Sequence, residues 1–525
     1  MTDVVSRRSV GTAAVILWGG LLVVGIVGAA AIWSATRLGP GLGSDSAVYV
    51  AGGQNLATGH GLTWRTGPDT YRLSIHPPFY SAALALFELL GIGAVPGSRL
   101  LGVLLFAATA VLAGWIVFQT THSSVLGLLI AGLLVSTADM VRIYSSTLTE
   151  GLYIALTLAA LCLAYRYLQR PTWPRLVILS LCASLLPLTK FAGLSAVAAL
   201  GVAVVLAKGN TRSMKVRHLL AYTAVTLAPV GLWALGNIWQ EGSGTGRPLT
   251  WNSIPPEAVK SATILLARWV FPLDASQSIL GGVRTRYLAL AAAVCLVGAG
   301  VWSVRRWRAS IRSGAEQDPS EALMVAVVTA GWAYLAFHGM AVLASSPQPD
   351  TNERTLLPLL PIILLVAGWL IGDVWNRARL VGRIAVVGLC TLILWDRPVV
   401  SYRTIEELAR LGSGYSSVYW RDSEIVAGLR EIPGQVVYTD DEGAVFFLAA
   451  RFPYSLPMKW NDERNQERPQ YPRELTRMRD RLRDGGLLVL FNPSPRLPQY
   501  PPYEELTSGL QEVFASESGG IYAWP

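Results

Sequence analysis

Asp45 stands just beyond a long apolar run, at the start of the stretch Leu42–Tyr80 (LGSDSAVYVAGGQNLATGHGLTWRTGPDTYRLSIHPPFY). The same stretch holds Tyr49, Arg65, Asp69, Arg72 and His76 and closes on Pro77-Pro78 before a second apolar run. A loop of this length between two membrane segments is uncommon unless it performs a function. Further along, Asp139, Arg142 and Glu150 bracket the connection between two apolar runs, and Lys190 sits at the turn in LLPLTKFAGL. His338 lies in a later run, and Asp350, Glu353 and Arg354 open the segment PDTNERTLLPLLP. Ionisable residues inside or at the ends of membrane spans are costly, which makes each a candidate for function. The carboxylates suit acid–base chemistry. Lys190, Arg354, Arg72 and His76 suit the binding of an anion.

Each residue has a plainer alternative. Asp45 could cap a helix beginning near Ser46, and Glu150 could be a first-turn acid favoured by the helix dipole. Lys190 and Arg354 could snorkel to the interface. Arg142 could pair with Asp139, and His76 could be structural. Asp440-Asp441-Glu442 resembles a metal-binding cluster, but its place after an expected strand favours a turn and helix cap.

These residues need elements to position them, and composition says which kind. Of 525 residues 52% are hydrophobic and only 15% charged, against about 25% charged in a soluble domain. The mean hydropathy is +0.42. Apolar runs near 20 residues recur, so the chain is expected to be a polytopic α-helical membrane protein. The net charge of +9 is not a nucleic-acid signature, because much of the Lys and Arg lies in short loops where it sets membrane orientation. Arg7 and Arg8 precede an apolar run over 12–33 that is too long for a signal peptide and reads as the first span. Cys162, Cys182, Cys295 and Cys390 all lie in apolar runs without metal-ligand spacing. No metal site or cofactor is expected; a divalent ion is possible but not indicated.

The expected spans are 12–34, 99–119, 124–141, 148–168, 176–189, 191–207, 217–239, 286–303, 321–343, 354–374 and 384–397, about eleven in all. The densest basic loops, near Arg166–Arg175, Lys208–Arg217, Arg305–Arg312 and Arg377–Arg383, belong on the cytoplasmic side. Parity then closes only if Phe79–Val95 does not cross. The amino terminus falls inside, and Asp45, Glu150, Lys190 and Arg354 fall on one outer side. Residues 1–399 form the membrane domain, with a first outer loop over 35–98. Residues 400–525 are charged, Pro-rich and lack a spanning run. Buried strands at QVVYT (435–439) and LLVLF (487–491), with a helix over Glu474–Leu482, make this a small extracytoplasmic α/β domain. The 240–285 loop carries an amphipathic stretch, Ala258–Val270, suited to the membrane interface.

The segment SDSAVYVAGGQNLATGHGL followed by HPPFYSAALALFELLG resembles the first outer loop of polytopic GT-C glycosyltransferases, in particular the protein O-mannosyltransferase and lipid A aminoarabinose transferase group. STLTEGLYIALTLAALCLAYRYL is similar to the group's later span that opens on an acid, and NERTLLPLLPIILLVAGWL to its late Arg-start, Pro-rich span. Ser46 stands where a second acid often follows the first, and His76 where Lys often precedes the Pro pair. The resemblance covers roughly residues 10–400 and implies transfer of a sugar from a polyprenyl-phosphate carrier to an extracytoplasmic glycan, lipid or protein at the cell membrane. It implies Asp45 as catalytic base with Glu150 second, and Arg72, His76, Lys190 and Arg354 at the donor phosphate. Tyr49, Asp139 and Arg142 are then substrate-binding residues. A lipid-linked donor also accounts for the lack of a Gly-rich phosphate loop after a strand. A lipid-linked oligosaccharide ligase or polymerase would share the outer cavity. A transporter or flippase would instead place its charges near mid-span.

Overall fold

The computed structural model describes residues 2–525 except 67–68, 210, 247–249, 271–296, 299, 303, 306–307, 309–317, 346–347, 378–379, 381–382, 385–387, 389–394, 434–435, 462–465 and 492–499. The spans expected over 286–303 and 384–397 lie largely outside the described residues, as do Cys295 and Cys390. The chain divides into two compact units. One holds residues 1–35, 74–80 and 100–406; the other holds 36–73, 81–99 and 407–525.

The first unit is helical. Its long helices are α1 (Thr2–Ala35), α4 (Ala94–Thr121), α7 (Thr149–Gln169), α10 (Arg212–Glu241) and α12 (Pro319–Ala344). Among the described residues these five are long and apolar enough to cross a bilayer; a helix of 21 residues, such as α7, spans about 30 Å, the thickness of the hydrocarbon core. The expected span 124–141 is instead a bent pair, α5 (Ser124–Val135) and α6 (Ala138–Tyr144), turning by 63°. The break has a local cause. The Thr137 hydroxyl donates 2.7 Å to the Leu133 carbonyl and Ser136 Oγ shares that acceptor, so side chains compete with the helical ladder.

Two further expected spans form a tight helical pair, α8 (Trp173–Thr189) and α9 (Gly193–Leu206), of 17 and 14 residues. Gly193 is required there. A Cβ on it would lie 2.3 Å from the Leu186 carbonyl carbon, and its N–H closes the turn on the Lys190 carbonyl at 2.7 Å. α8, α9 and α12 pack around α7, which is buried over most of its length. The interfacial stretch is a helix, α11 (Pro256–Val270). The span expected over 354–374 begins as a short turn, α13 (Glu353–Leu356), capped reciprocally by Asn352 and Thr355. It then restarts as α14 (Leu359–Arg377). α15 (Arg397–Leu411) follows.

The second unit joins the loop after α1 to the carboxyl-terminal segment. The loop folds into α2 (Ser44–Ala57), an antiparallel hairpin β1 (Thr63–Thr66) and β2 (Asp69–Arg72), and α3 (Phe79–Leu89). At 11 residues α3 reaches about 16 Å, half of what a crossing needs. The carboxyl-terminal part holds the helices α16 (Val418–Arg421), α17 (Glu424–Glu431), α18 (Glu442–Ala449), α19 (Tyr471–Arg483) and α20 (Tyr503–Thr507). Its strands are β3 (Val437–Thr439), β4 (Tyr454–Ser455), β5 (Trp460–Asn461), β6 (Gln466–Glu467), β7 (Leu487–Phe491), β8 (Gln511–Ser516) and β9 (Gly519–Ala523). Five of them make a mixed sheet in the order β4-β3-β7-β9-β8, parallel through β4, β3 and β7 and antiparallel beyond.

All five residues of β7 are buried because both faces of the sheet are covered. Leu487, Val489 and Phe491 pack with Ile425, Leu429 and Val445 from α17 and α18. Leu488 and Leu490 pack with Met478, Leu482 and Leu506 from α19 and α20. The strict alternation of one strand between two helical layers is the reason LLVLF reads as a continuous apolar run.

Candidate active site

In the first unit three elements converge on Glu150. It opens α7, where its side chain is 1% exposed. Oε1 accepts from Lys190 Nζ at 2.8 Å and from Arg354 Nε at 2.9 Å, and Oε2 faces the Thr149 hydroxyl at 3.4 Å. Lys190 is the first residue past α8, held by the Gly193 turn; Arg354 is carried by the capped turn α13. Their side chains keep 22% and 32% of their surface accessible. A buried carboxylate without partners would be strongly unfavourable. Here two cations meet it and stay partly accessible.

A second cluster adjoins the first through the neighbour of Arg354. Glu353 lines a polar cavity of 230 Å³ together with Asp139, Arg142, Arg268, Asp396 and Arg397. Asp139 pairs with Arg268 and accepts from Trp269 Nε1 at 2.9 Å. Arg397 donates to the Trp269 carbonyl and, at 3.2 Å, to Thr137 Oγ1. The end of α11 is thereby tied to the bend between α5 and α6. Asp139 thus takes Arg268 as its ion-pair partner, where sequence proximity pointed to Arg142. Arg268, Trp269 and Arg397 were not singled out by sequence reasoning. The only signal was a basic–aromatic pair closing an amphipathic stretch.

His76 lies in the bend before α3, half-buried. His338 in α12 bonds Thr351 Oγ1 at 3.0 Å rather than joining the Glu150 cluster.

Asp45, Tyr49 and Arg72 belong to the second unit. Asp45 is half-buried in the first turn of α2, whose cap position is Gly43; Ser46 Oγ accepts the Gly43 N–H at 2.9 Å. The cap position belongs to Gly43, and Asp45 stands inside the first turn. Tyr49 is buried in the same helix and Arg72 is exposed at the end of β2. The hairpin is anchored to the α/β part. Tyr454 Oη donates 2.7 Å to the Thr66 carbonyl, and Arg481 donates 2.6 Å to Asp69. That hydrogen bond holds the Asp69 carboxyl below its usual range, against the opposing effect of burial. Asp441, within the acidic triplet, caps α18 by accepting from the Ala444 N–H at 3.0 Å. Among the described residues, no three His, Cys, Asp or Glu side chains group to hold a metal ion.

The fold has solved counterparts. The oligosaccharyltransferase of Archaeoglobus fulgidus, in a complex with zinc and sulfate, matches 89% of this chain and 68% of its own, at 13% identity and a TM-score of 0.50. ArnT from Cupriavidus metallidurans bound to undecaprenyl phosphate matches 97% of each chain at 14% identity and a TM-score of 0.48. The arabinofuranosyltransferase AftD from Mycobacteria matches 96% of this chain and 39% of its own, at 16% identity and a TM-score of 0.48. No protein-family model matches the sequence, and no curated protein matches it. The likeness to the oligosaccharyltransferase is one of fold, a largely helical chain with a small α/β region.

Proposed function

We propose that this chain is an integral membrane glycosyltransferase that moves a sugar from a polyprenyl-phosphate carrier to an extracytoplasmic acceptor. The observation that carries the reading is the Glu150–Lys190–Arg354 cluster at the head of a membrane helix, on a GT-C fold. The donor's apolar tail stays in the bilayer while its phosphate sits at the interface. When the bond between the anomeric carbon and the phosphate oxygen breaks, the electron pair leaves with the phosphate. Lys190 and Arg354 stabilise the charge that develops there, and Arg72 and His76 are further candidates for the same task. Glu150 receives bonds from both cations and has almost no exposed surface. Its role is to hold them in place. Asp139 and Arg142, in the adjoining polar cavity, contribute to substrate binding, as does Tyr49 in α2. Asp45 takes the proton from the acceptor as its oxygen or nitrogen attacks the sugar. The amino terminus lies in the cytoplasm and the carboxyl-terminal domain, from about residue 400, outside the cell membrane.

Asp45→Asn tests the base. Its Asn keeps the shape and cannot accept a proton, and general base catalysis contributes about 10²–10⁴-fold. The expected outcome is a membrane-inserted enzyme that binds polyprenyl phosphate normally and transfers sugar at least about 10²-fold more slowly. Near-normal transfer would remove Asp45 from the chemistry.

A further inference from the structure

The second unit contains a cavity of 790 Å³ that none of the roles above uses. One wall is the β1–β2 hairpin, with Trp64, Thr66 and Tyr71. The run Pro453–Met458 lines it beside the hairpin, together with Arg477 and Arg481 of α19. Asp440, Asp441 and Glu442, at the start of α18, and Tyr415 line it as well. Ser44, Ala47 and Val48 of α2 also line it. The residue after Ser44 is Asp45.

The wall chemistry is specific. Tyr438 and Tyr454 stack with ring centroids 5.0 Å apart, and the Arg481 guanidinium lies over the Tyr454 ring at 4.2 Å. Tyr71 is 48% exposed, so its ring is open to a ligand. The carboxylates are fixed by their own bonds: Tyr415 Oη donates 2.6 Å to Asp441, Ser455 donates to Glu442, and the Phe491 N–H donates 3.0 Å to Asp440. The open Tyr71 ring, beside fixed planar carboxylates and guanidinium groups, is complementary to a polyhydroxylated ring. Such a ring offers C–H faces to the aromatics and hydroxyls to the polar edges. The volume lies within the range of about 300–1,000 Å³ typical of small-ligand sites, enough for a short oligosaccharide.

Other occupants fit less well. A peptide would add to the sheet edge as a strand, but the edge strand β4 has two residues and is flanked by Pro453 and Pro457, which lack the N–H that pairing needs. A nucleic acid would meet Asp440, Asp441, Glu442 and Glu474 against three arginines, the wrong balance for a polyanion.

We propose that this cleft binds a neutral glycan chain, and that the acceptor of the transfer is therefore a carbohydrate. The second half rests on the glycosyltransferase reading; the first does not. Ser44, which lines the cleft, directly precedes the residue assigned as base.

The test uses the full-length protein in lipid nanodiscs and two series of uncharged oligosaccharides, one of hexoses and one of pentoses. Calorimetry and saturation-transfer NMR read binding without any donor. At least one series is expected to bind. Tyr71→Ala, at an exposed position, should weaken it by about three- to tenfold, the worth of one aromatic face. Tyr71→Phe should retain affinity, and Arg477→Ala should weaken it. Binding of polyprenyl phosphate should be unchanged in all three. Failure of both series to bind the folded wild-type protein would overturn the proposal. So would binding that Tyr71→Ala leaves intact, or displacement of the sugar by a peptide or by phospholipid vesicles. Oligosaccharide binding without transfer from a polyprenyl donor would sink the function and spare the cleft. Transfer to a peptide would spare the function and sink the carbohydrate acceptor.

Discussion

Glu150→Gln is a change of one atom that removes the carboxylate bonded to both Lys190 and Arg354. At 2.8 and 2.9 Å each attraction is about 6 kcal/mol for an effective dielectric near 20. Most of that is offset by the water the three groups give up. Breaking a buried ion pair costs about 3–5 kcal/mol. Both cations retain partial solvent access, so the low end applies: about 3 kcal/mol of lost stability. The two cations then lose the carboxylate they share. Lys190→Gln in the Glu150→Gln background should therefore recover part of the loss, whereas in the wild-type background it should be destabilising. Equilibrium unfolding in mixed micelles, followed by tryptophan fluorescence, measures all four proteins. The expected coupling is about 2 kcal/mol, within the range found for contacting charges. Additivity within about 0.5 kcal/mol would mean that the three side chains do not act as a unit, and the positioning role of Glu150 would fall.

The second unit should respond to pH with two opposite signs. The Asp69 carboxyl lies below its ordinary value of 3.8, chiefly through the hydrogen bond from Arg481. Its contribution is thus complete above 3.8 and is lost as pH falls through the folded-state value, and Asp69→Asn should flatten that acid limb in melting curves. Burial raises the Glu442 carboxyl above its ordinary 4.5. Its contribution is present below 4.5 and is lost as pH rises through the folded-state value, so Glu442→Gln should melt higher than wild type at neutral pH. An unchanged pH profile in both variants would contradict these assignments. Orientation is tested with an impermeant thiol reagent on intact cells. Exposed Ser508→Cys should be labelled and exposed Ser213→Cys protected; the opposite pattern would invert the orientation.

The helical membrane architecture was legible in the sequence because apolar length is a local property. A run such as Val15–Ala35 or Thr149–Gln169 can satisfy its backbone in a bilayer only as a helix. LLVLF was equally legible, since a strand covered on both faces must be apolar throughout. The acid in Glu150, the cations Lys190 and Arg354, and the loop acid Asp45 stood out for the same reason: charge is expensive where it stands. Partners were not legible. Asp139 lies three residues from Arg142 yet pairs with Arg268, 129 residues away, because the bend at Ser136–Thr137 redirects α6 toward the end of α11. Nor could spacing reveal that Tyr71 and Tyr454, almost 400 residues apart, line one cleft. A hydrogen bond from Tyr454 to Thr66 and an ion pair between Arg481 and Asp69 bring the early hairpin to the late sheet. Local patterning sets which elements form, because propensity and periodicity act over a few residues. Which side chains meet is decided by packing between distant segments, and that is a property of the tertiary structure alone.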